Sequence, residues 1–133
     1  MAGKIVADTL EHSTAGSIAT NYVVEGSAKV WLDQNHRASF GTNDSFNVSG
    51  AVDTAAGVTD VSFTSSMAAG NYSAPTSGIS QYADTNSSGF HVHCATDTSN
   101  RTSSALKIIG SRYNNATRTD TDRIDLAVFG DLA

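Results

Sequence analysis

An all-β fold is what this sequence predicts: an antiparallel β-sandwich or small barrel of about seven or eight short strands, preceded by an N-terminal arm. Three observations lead there. After residue 20, apolar and polar residues alternate with a period of two through most runs. Ser, Thr, Asn and Gly occur in nearly every segment, and they supply pleat-tolerant and turn-forming positions. Hydrophobic residues make up 39% and charged residues 16% of the 133, both below the usual share for a globular domain.

The elements follow in chain order. Residues 3–20 carry Ile5, Val6 and Leu10, but Ser13, Thr14 and Gly16 argue against a helix and for an extended arm or loop. Ala28, Val30 and Leu32 share one strand face, and Lys29 and Trp31 share the other. A short run from His36 closes at Phe40, and Phe46 and Val48 alternate with Ser45, Asn47 and Ser49. Ala55-Ala56-Gly57 reads as a hairpin turn before the alternation of Thr59, Val61 and Phe63. Tyr72 lies in a run that ends at Pro75, the only proline, so that strand stops there or lies at a sheet edge. Residues 76–88 read as a polar loop. Phe90, Val92 and Cys94 alternate with His91 and His93, and Ala105 to Ile109 is nearly continuous apolar sequence. Residues 111–122 read as a second polar loop. Ile124, Leu126 and Val128 then form the cleanest stripe, opposed by Asp125, Ala127 and Phe129.

Large residues on both faces of several strands, such as Trp31 and Phe129, exceed what a lone sandwich buries, and neighbouring copies would cover the surplus. The net charge of −5 with eight scattered basic residues argues against nucleic acid as a partner. No run is long and apolar enough to enter a membrane as a helix. The first residues lack the apolar core of a signal peptide, so the expectation is synthesis in a cytoplasm and, if the protein acts outside, exit by a route other than secretion. Cys94 is the single cysteine, so an intrachain disulfide is excluded and a buried thiol is expected.

The run SFNVSGAVDTAAGVTDVSFTSSMAAGNYS (45–73) resembles a module found in tail-fibre and other virion proteins of marine and related bacteriophages. GSAKVWLDQN (26–35) is similar to the strand that leads into that module, and DRIDLAVFGDL (122–132) to the one that closes it. KIVADTLEHSTAGSIATNYVVEG (4–26) is similar to the N-terminal lead of the same proteins. The resemblance implies a non-enzymatic virion structural protein, a homotrimeric fibre or capsid-decoration subunit with a β fold, no cofactor and no catalytic residues. Residues 1–20 would then be an attachment arm to other phage structural proteins, and residues 21–133 the β-sandwich domain. This chain lacks the module's Asn-Gly turn, having Thr54-Ala55-Ala56-Gly57 in its place, so the turn type there is open.

Several constellations carry possible chemistry. His91 and His93 put two imidazoles on one strand face, and three such pairs around a threefold axis would offer six nitrogen ligands to a transition metal. The plainer reading is a solvent or interface face, and no metal is assigned. Asp120, Asp122 and Asp125 are dense enough to suggest calcium, but the spacing is not that of an EF-hand loop. Asn-x-Ser/Thr triplets at Asn47, Asn71, Asn86, Asn100 and Asn115 are expected by chance at this composition. No nucleophile elbow or cysteine-protease context is present, and Cys94 and His93, as strand neighbours, face opposite ways. Trp31, Tyr22, Tyr72, Tyr82 and Tyr113 could form a sugar-stacking face. Tyr82, Tyr113, Asn114 and Asn115, in the two polar loops, are the candidate receptor contacts, with host surface glycan as the alternative partner.

Overall fold

The computed structural model describes residues 6–36, 39–79, 90–95, 99–112 and 117–133. Among these described residues the fold is all-β, with one short helix. Ten strands and the helix α1 (Thr20–Gly26) follow one another as β1 (Thr9–His12), β2 (Gly16–Ala19), α1, β3 (Val30–Asn35), β4 (Gly41–Phe46), β5 (Val48–Ala55), β6 (Val58–Phe63), β7 (Thr76–Ile79), β8 (Phe90–Cys94), β9 (Ala105–Arg112) and β10 (Arg123–Val128). Eight of the strands build two four-stranded antiparallel sheets, ordered β4-β3-β10-β7 and β5-β6-β9-β8. The sheets face each other as a sandwich.

The alternation read from the sequence sets the core. Val30 and Leu32 of β3, Val61 and Phe63 of β6, Leu106 and Ile108 of β9, and Ile124, Leu126 and Val128 of β10 all point inward with Met67 and Tyr72. β3 and β10 lie in register, Leu32 opposite Leu126 and Trp31 opposite Ala127. Burying an aliphatic side chain of this size contributes about 1.5–3 kcal/mol, so these two central strands hold much of the stability.

Five sequence expectations change. The segment read as an extended arm or loop forms a hairpin, β1 with β2, whose turn uses Gly16 at φ 90°. Glycine reaches that conformation without a Cβ clash, so the residue that disfavoured helix favours this turn. Of the short run expected from His36 to Phe40, the described residues His36, Ser39 and Phe40 lie outside any strand, and β4 begins at Gly41. Residues 76–79 of the expected loop form β7, which the sequence hides because three of its four residues are small or polar. β9 continues to Arg112, and an isolated bridge joins Ser111 to Arg118, so the second expected loop starts as paired strand. The run expected to carry Tyr72 as a strand up to Pro75 forms only the isolated bridge of Ser73 with Phe129; edge strand β7 starts directly after Pro75, whose carbonyl accepts the Ala127 N–H at 3.1 Å.

The chain changes sheets at Asn47, the one residue between β4 and β5. Its φ of 57° is the left-handed region, which asparagine tolerates better than other non-glycine residues. Its side chain then fixes the corner: Nδ2 donates to the carbonyls of Lys29 (3.0 Å) and Ser65 (3.1 Å), and Oδ1 accepts the Ser65 N–H at 2.7 Å. Asn47→Ala should cost about 2–4 kcal/mol, from three lost hydrogen bonds at about 1 kcal/mol each and about 1 kcal/mol of backbone strain. Asn47→Gly should cost less, since it removes the bonds but not the tolerance of φ. Urea denaturation of both variants checks this, and equal loss in the two would rule out the strain.

The hairpin and α1 lie outside the two sheets. The helix buries no residue. Thr20 Oγ1 donates to the Ala7 carbonyl at 2.7 Å, and Lys29 Nζ donates to the carbonyls of Val24 and Ser27, which ties the helix to the start of β3. No helix among the described residues is long and apolar enough to cross a membrane.

Candidate functional site

Three places on the molecule carry side chains that the core does not consume. The first is the outer face of the sheet containing β3 and β10. Since Val30, Leu32 and Gln34 point inward, Trp31 and Asp33 must point out. Trp31 pairs with Phe46 on β4 and with Ala127 on β10. Trp31 is 37% and Phe46 53% exposed, so an aromatic row lies open at one end of this face. The next row is charged. Arg123 Nε donates to Asp33 Oδ1 at 2.7 Å, its Nη2 pairs with Asp33 Oδ2, and Nε lies 3.6 Å from Asp125 Oδ1. Asn43 Nδ2 donates to Asp33 Oδ1 at 3.1 Å. That hydrogen bond, with the Arg123 guanidinium behind it, holds the Asp33 carboxyl below its ordinary range. Ser77 Oγ donates to Asp125 Oδ2 at 3.1 Å and ends the row.

Of the aromatics weighed as a sugar-stacking face, the described ones, Trp31, Tyr22 and Tyr72, do not come together. Trp31 is on this outer face, and Tyr22 is exposed on α1. Tyr72 is 5% exposed and belongs to the core. Its ring meets Phe63 edge-on at 6.0 Å, the Arg101 guanidinium lies 4.3 Å from its centroid, and its hydroxyl donates to the Thr102 and Ala105 carbonyls. Burial pushes the Tyr72 phenol above its ordinary pKa. Phe129 is half-buried rather than an open second face, pinned by paired backbone bonds to Ser73 at 2.8 and 2.9 Å. Tyr82, Tyr113, Asn114 and Asn115 lie outside the described residues.

The second place is the outward face of β8. Val92 and Cys94 pack against the core, while His91 is exposed and His93 half-buried. The imidazoles meet edge-on with centroids 5.4 Å apart. Burial first, then the charges of His91 and Arg118, push the His93 pKa down. The pair adopts the facing that the alternation required, and no third ligand joins it among the described residues. Cys94 Sγ lies 3.4 Å from the Ala74 carbonyl, and burial raises its thiol to about 11. A thiol so weakly ionised is a poor nucleophile.

The third place was not read from the sequence as a site. The inward alternation of β3 continues past its end through Gln34 to His36, which is 2% exposed. Gln34 is satisfied there, donating to the Asn35 carbonyl and accepting from Thr42 Oγ1. His36 is not. Its backbone N–H donates to the Asp122 carbonyl at 3.1 Å, and its ring packs edge-on against Phe40 at 5.8 Å. Yet neither ring nitrogen makes a hydrogen bond. A buried donor left unmade costs about 1–3 kcal/mol. Nδ1 lies 3.9 Å from Asp120 Oδ1. Asp53, near the end of β5, brings a second carboxylate, and one ligand atom from each of His36, Asp53 and Asp120 falls within 4.8 Å of the others. Asp120 is held by the β5–β6 turn, where the Gly57 N–H donates to its Oδ1 at 2.6 Å.

Asp120 and Asp125, from the dense run weighed for calcium and set aside, go to different sides. Asp125 points to the outer face and binds Arg123 and Ser77, whereas Asp120 turns back toward the opposite sheet. Strand alternation sends neighbouring carboxylates to different sides, and only distant segments reunite them with His36. The inward position of His36 was legible in the Val30-Leu32-Gln34-His36 period; its carboxylate partners were not. No protein-family model, no curated protein and no solved structure matches the chain, so what stands is the fold: an all-β chain of two packed antiparallel sheets.

Proposed function

We propose that the protein is a non-enzymatic structural subunit of a bacteriophage virion, a homotrimeric fibre or capsid-decoration protein that projects from the particle. One observation carries the assembly part of this reading. The hairpin β1–β2 and helix α1 leave Leu10, Ile18, Tyr22, Val23 and Val24 between 40% and 67% exposed, with no residue of the helix buried. A lone two-stranded hairpin and a seven-residue helix are each marginal in water. Apolar side chains spaced over both elements therefore point to a covering partner: copies of the same chain, or other virion proteins docked on this arm. The phage identity rests on the resemblance of residues 45–73 and of the flanking strands.

Sedimentation of the full chain should give a trimer at micromolar concentration, and Ile18→Asp in β2 or Val24→Asp in α1 should weaken its association with particles. A stable monomer would end the trimer reading. Mass spectrometry of purified particles should find the chain in the virion, and its copy number separates tail from capsid: a few copies for a fibre, hundreds for a decoration protein.

A second reading, a lectin-like domain for host surface glycan, is favoured by the open Trp31–Phe46 row beside the Asp33–Arg123–Asp125 row. Aromatic faces stack on sugar rings and flanking polar groups bind hydroxyls. Glycan-array binding lost on Trp31→Ala would favour it; no binding to any host glycan would remove it.

A further inference from the structure

We infer that His36, Asp53 and Asp120 form a zinc site that ties the two sheets together at one end of the sandwich. This goes beyond the assembly reading and stands or falls separately from it. The observation pointing to a ligand is the imidazole: its side chain is 0% exposed, and neither nitrogen has a hydrogen-bond partner. Folding strips water from both nitrogens and gives nothing in return, whereas a cation bound to one would compensate. The two nearest groups able to hold that cation are carboxylates.

The chemistry of the set selects the metal. Calcium and magnesium take oxygen ligands and have no use for a buried imidazole. One nitrogen with two carboxylate oxygens suits zinc, whose bonds to such ligands are about 2.0–2.2 Å. On a tetrahedral ion those ligand atoms stand roughly 3.4 Å apart. The His36 Nδ1 to Asp120 Oδ1 distance of 3.9 Å is close to that value. Asp53 is exposed, and a turn of its side chain toward His36 would close the remaining gap. Three protein ligands leave the fourth position to solvent.

The ligands come from separate parts of the fold, which gives the ion a structural task. His36 extends β3 of one sheet, Asp53 belongs to β5 of the other, and Asp120 lies ahead of β10. The Gly57 N–H fixes the Asp120 carboxylate, so two of the three ligands are positioned before metal arrives. A bound ion would cross-link β3 and β5, which belong to different sheets.

Titration of the full chain with Zn²⁺ by calorimetry, in a non-chelating buffer, should give one ion per chain and a raised melting temperature. Co²⁺ should give a visible absorption band that Zn²⁺ bleaches. Asp53→Asn, at an exposed position, should fold normally and lower affinity by at least about tenfold, and His36→Gln should abolish binding. The His91→Ala/His93→Ala double variant should bind as the parent does. No uptake of zinc at submillimolar concentration would overturn the proposal, as would binding that survives Asp53→Asn and disappears in the His91/His93 variant. Should His36→Gln fail to fold, Asp53→Asn with the Co²⁺ spectrum decides alone.

Discussion

Leu126→Asp should leave no folded protein. Leu126 is 4% exposed in β10, paired with Leu32 on one side and Thr76 on the other. Truncating such a leucine costs about 2–5 kcal/mol from lost burial and the cavity left behind. Placing a carboxylate there adds several kcal/mol, because Leu126 packs in the apolar cluster with Ile124, Val128 and Leu32. A domain of this size is stable by about 5–15 kcal/mol in total. Expression should therefore yield aggregate or a chain without cooperative unfolding. Ala127→Asp, one residue along and on the outer face, should stay soluble and lose less than about 1 kcal/mol. The pair tests facing rather than tolerance: if both variants fold, or both fail, the sheet is not one-sided as described.

Gly57→Ala should be the second largest loss. The β5–β6 hairpin has a two-residue turn, Ala56-Gly57, with Ala55 opposite Val58. Only Gly57 of that pair has positive φ, 65°, so this is not the type I′ turn that requires it at both central positions. The turn presses into the neighbouring structure. A Cβ on Gly57 would lie 2.5 Å from the Thr119 nitrogen, 2.8 Å from the Thr119 carbonyl oxygen, and against the Gly110 carbonyl oxygen as well. These are backbone atoms, so they do not yield as a side chain does. Left-handed strain of about 1–2 kcal/mol and overpacking of about 1–3 kcal/mol together predict a loss near 3–4 kcal/mol. Displacing the turn also moves the N–H that holds Asp120. Urea unfolding should show a much lower midpoint with an unchanged slope; a loss below about 1 kcal/mol would mean the turn has room it is not drawn with.

These two positions show what the sequence makes legible. The stripe of Ile124, Leu126 and Val128 is read directly, because period-2 alternation in a half-buried strand has one solution. The same logic placed Val30, Leu32, Val61 and the His91/His93 face. The turn at Gly57 was readable as a turn, yet its tight seat against Thr119 and Gly110 was not, since those residues are remote in sequence. β7 escaped because Thr76-Ser77-Gly78-Ile79 has no alternation, and its place depends on a neighbour: a Cβ at Gly78 would strike Val92 of β8. Tyr72 looked like a surface aromatic in a polar run, but hydrogen bonds from its hydroxyl to two carbonyls let it sit inside. The cluster around His36 hid for the same reason as the Gly57 seat: its members come from three segments that only the sandwich brings together.

The rims of the two sheets bear on how copies of such a chain can meet. β4 carries a register shift opposite Asp33/Gln34, β5 has two such shifts, and Pro75 precedes the short β7. Each interrupts the run of free backbone donors and acceptors that a foreign strand would need. Growth by endless ribbon-like stacking is thereby discouraged along these borders, and contact is steered toward side-chain surfaces, whose complementarity is used up once a closed ring has formed.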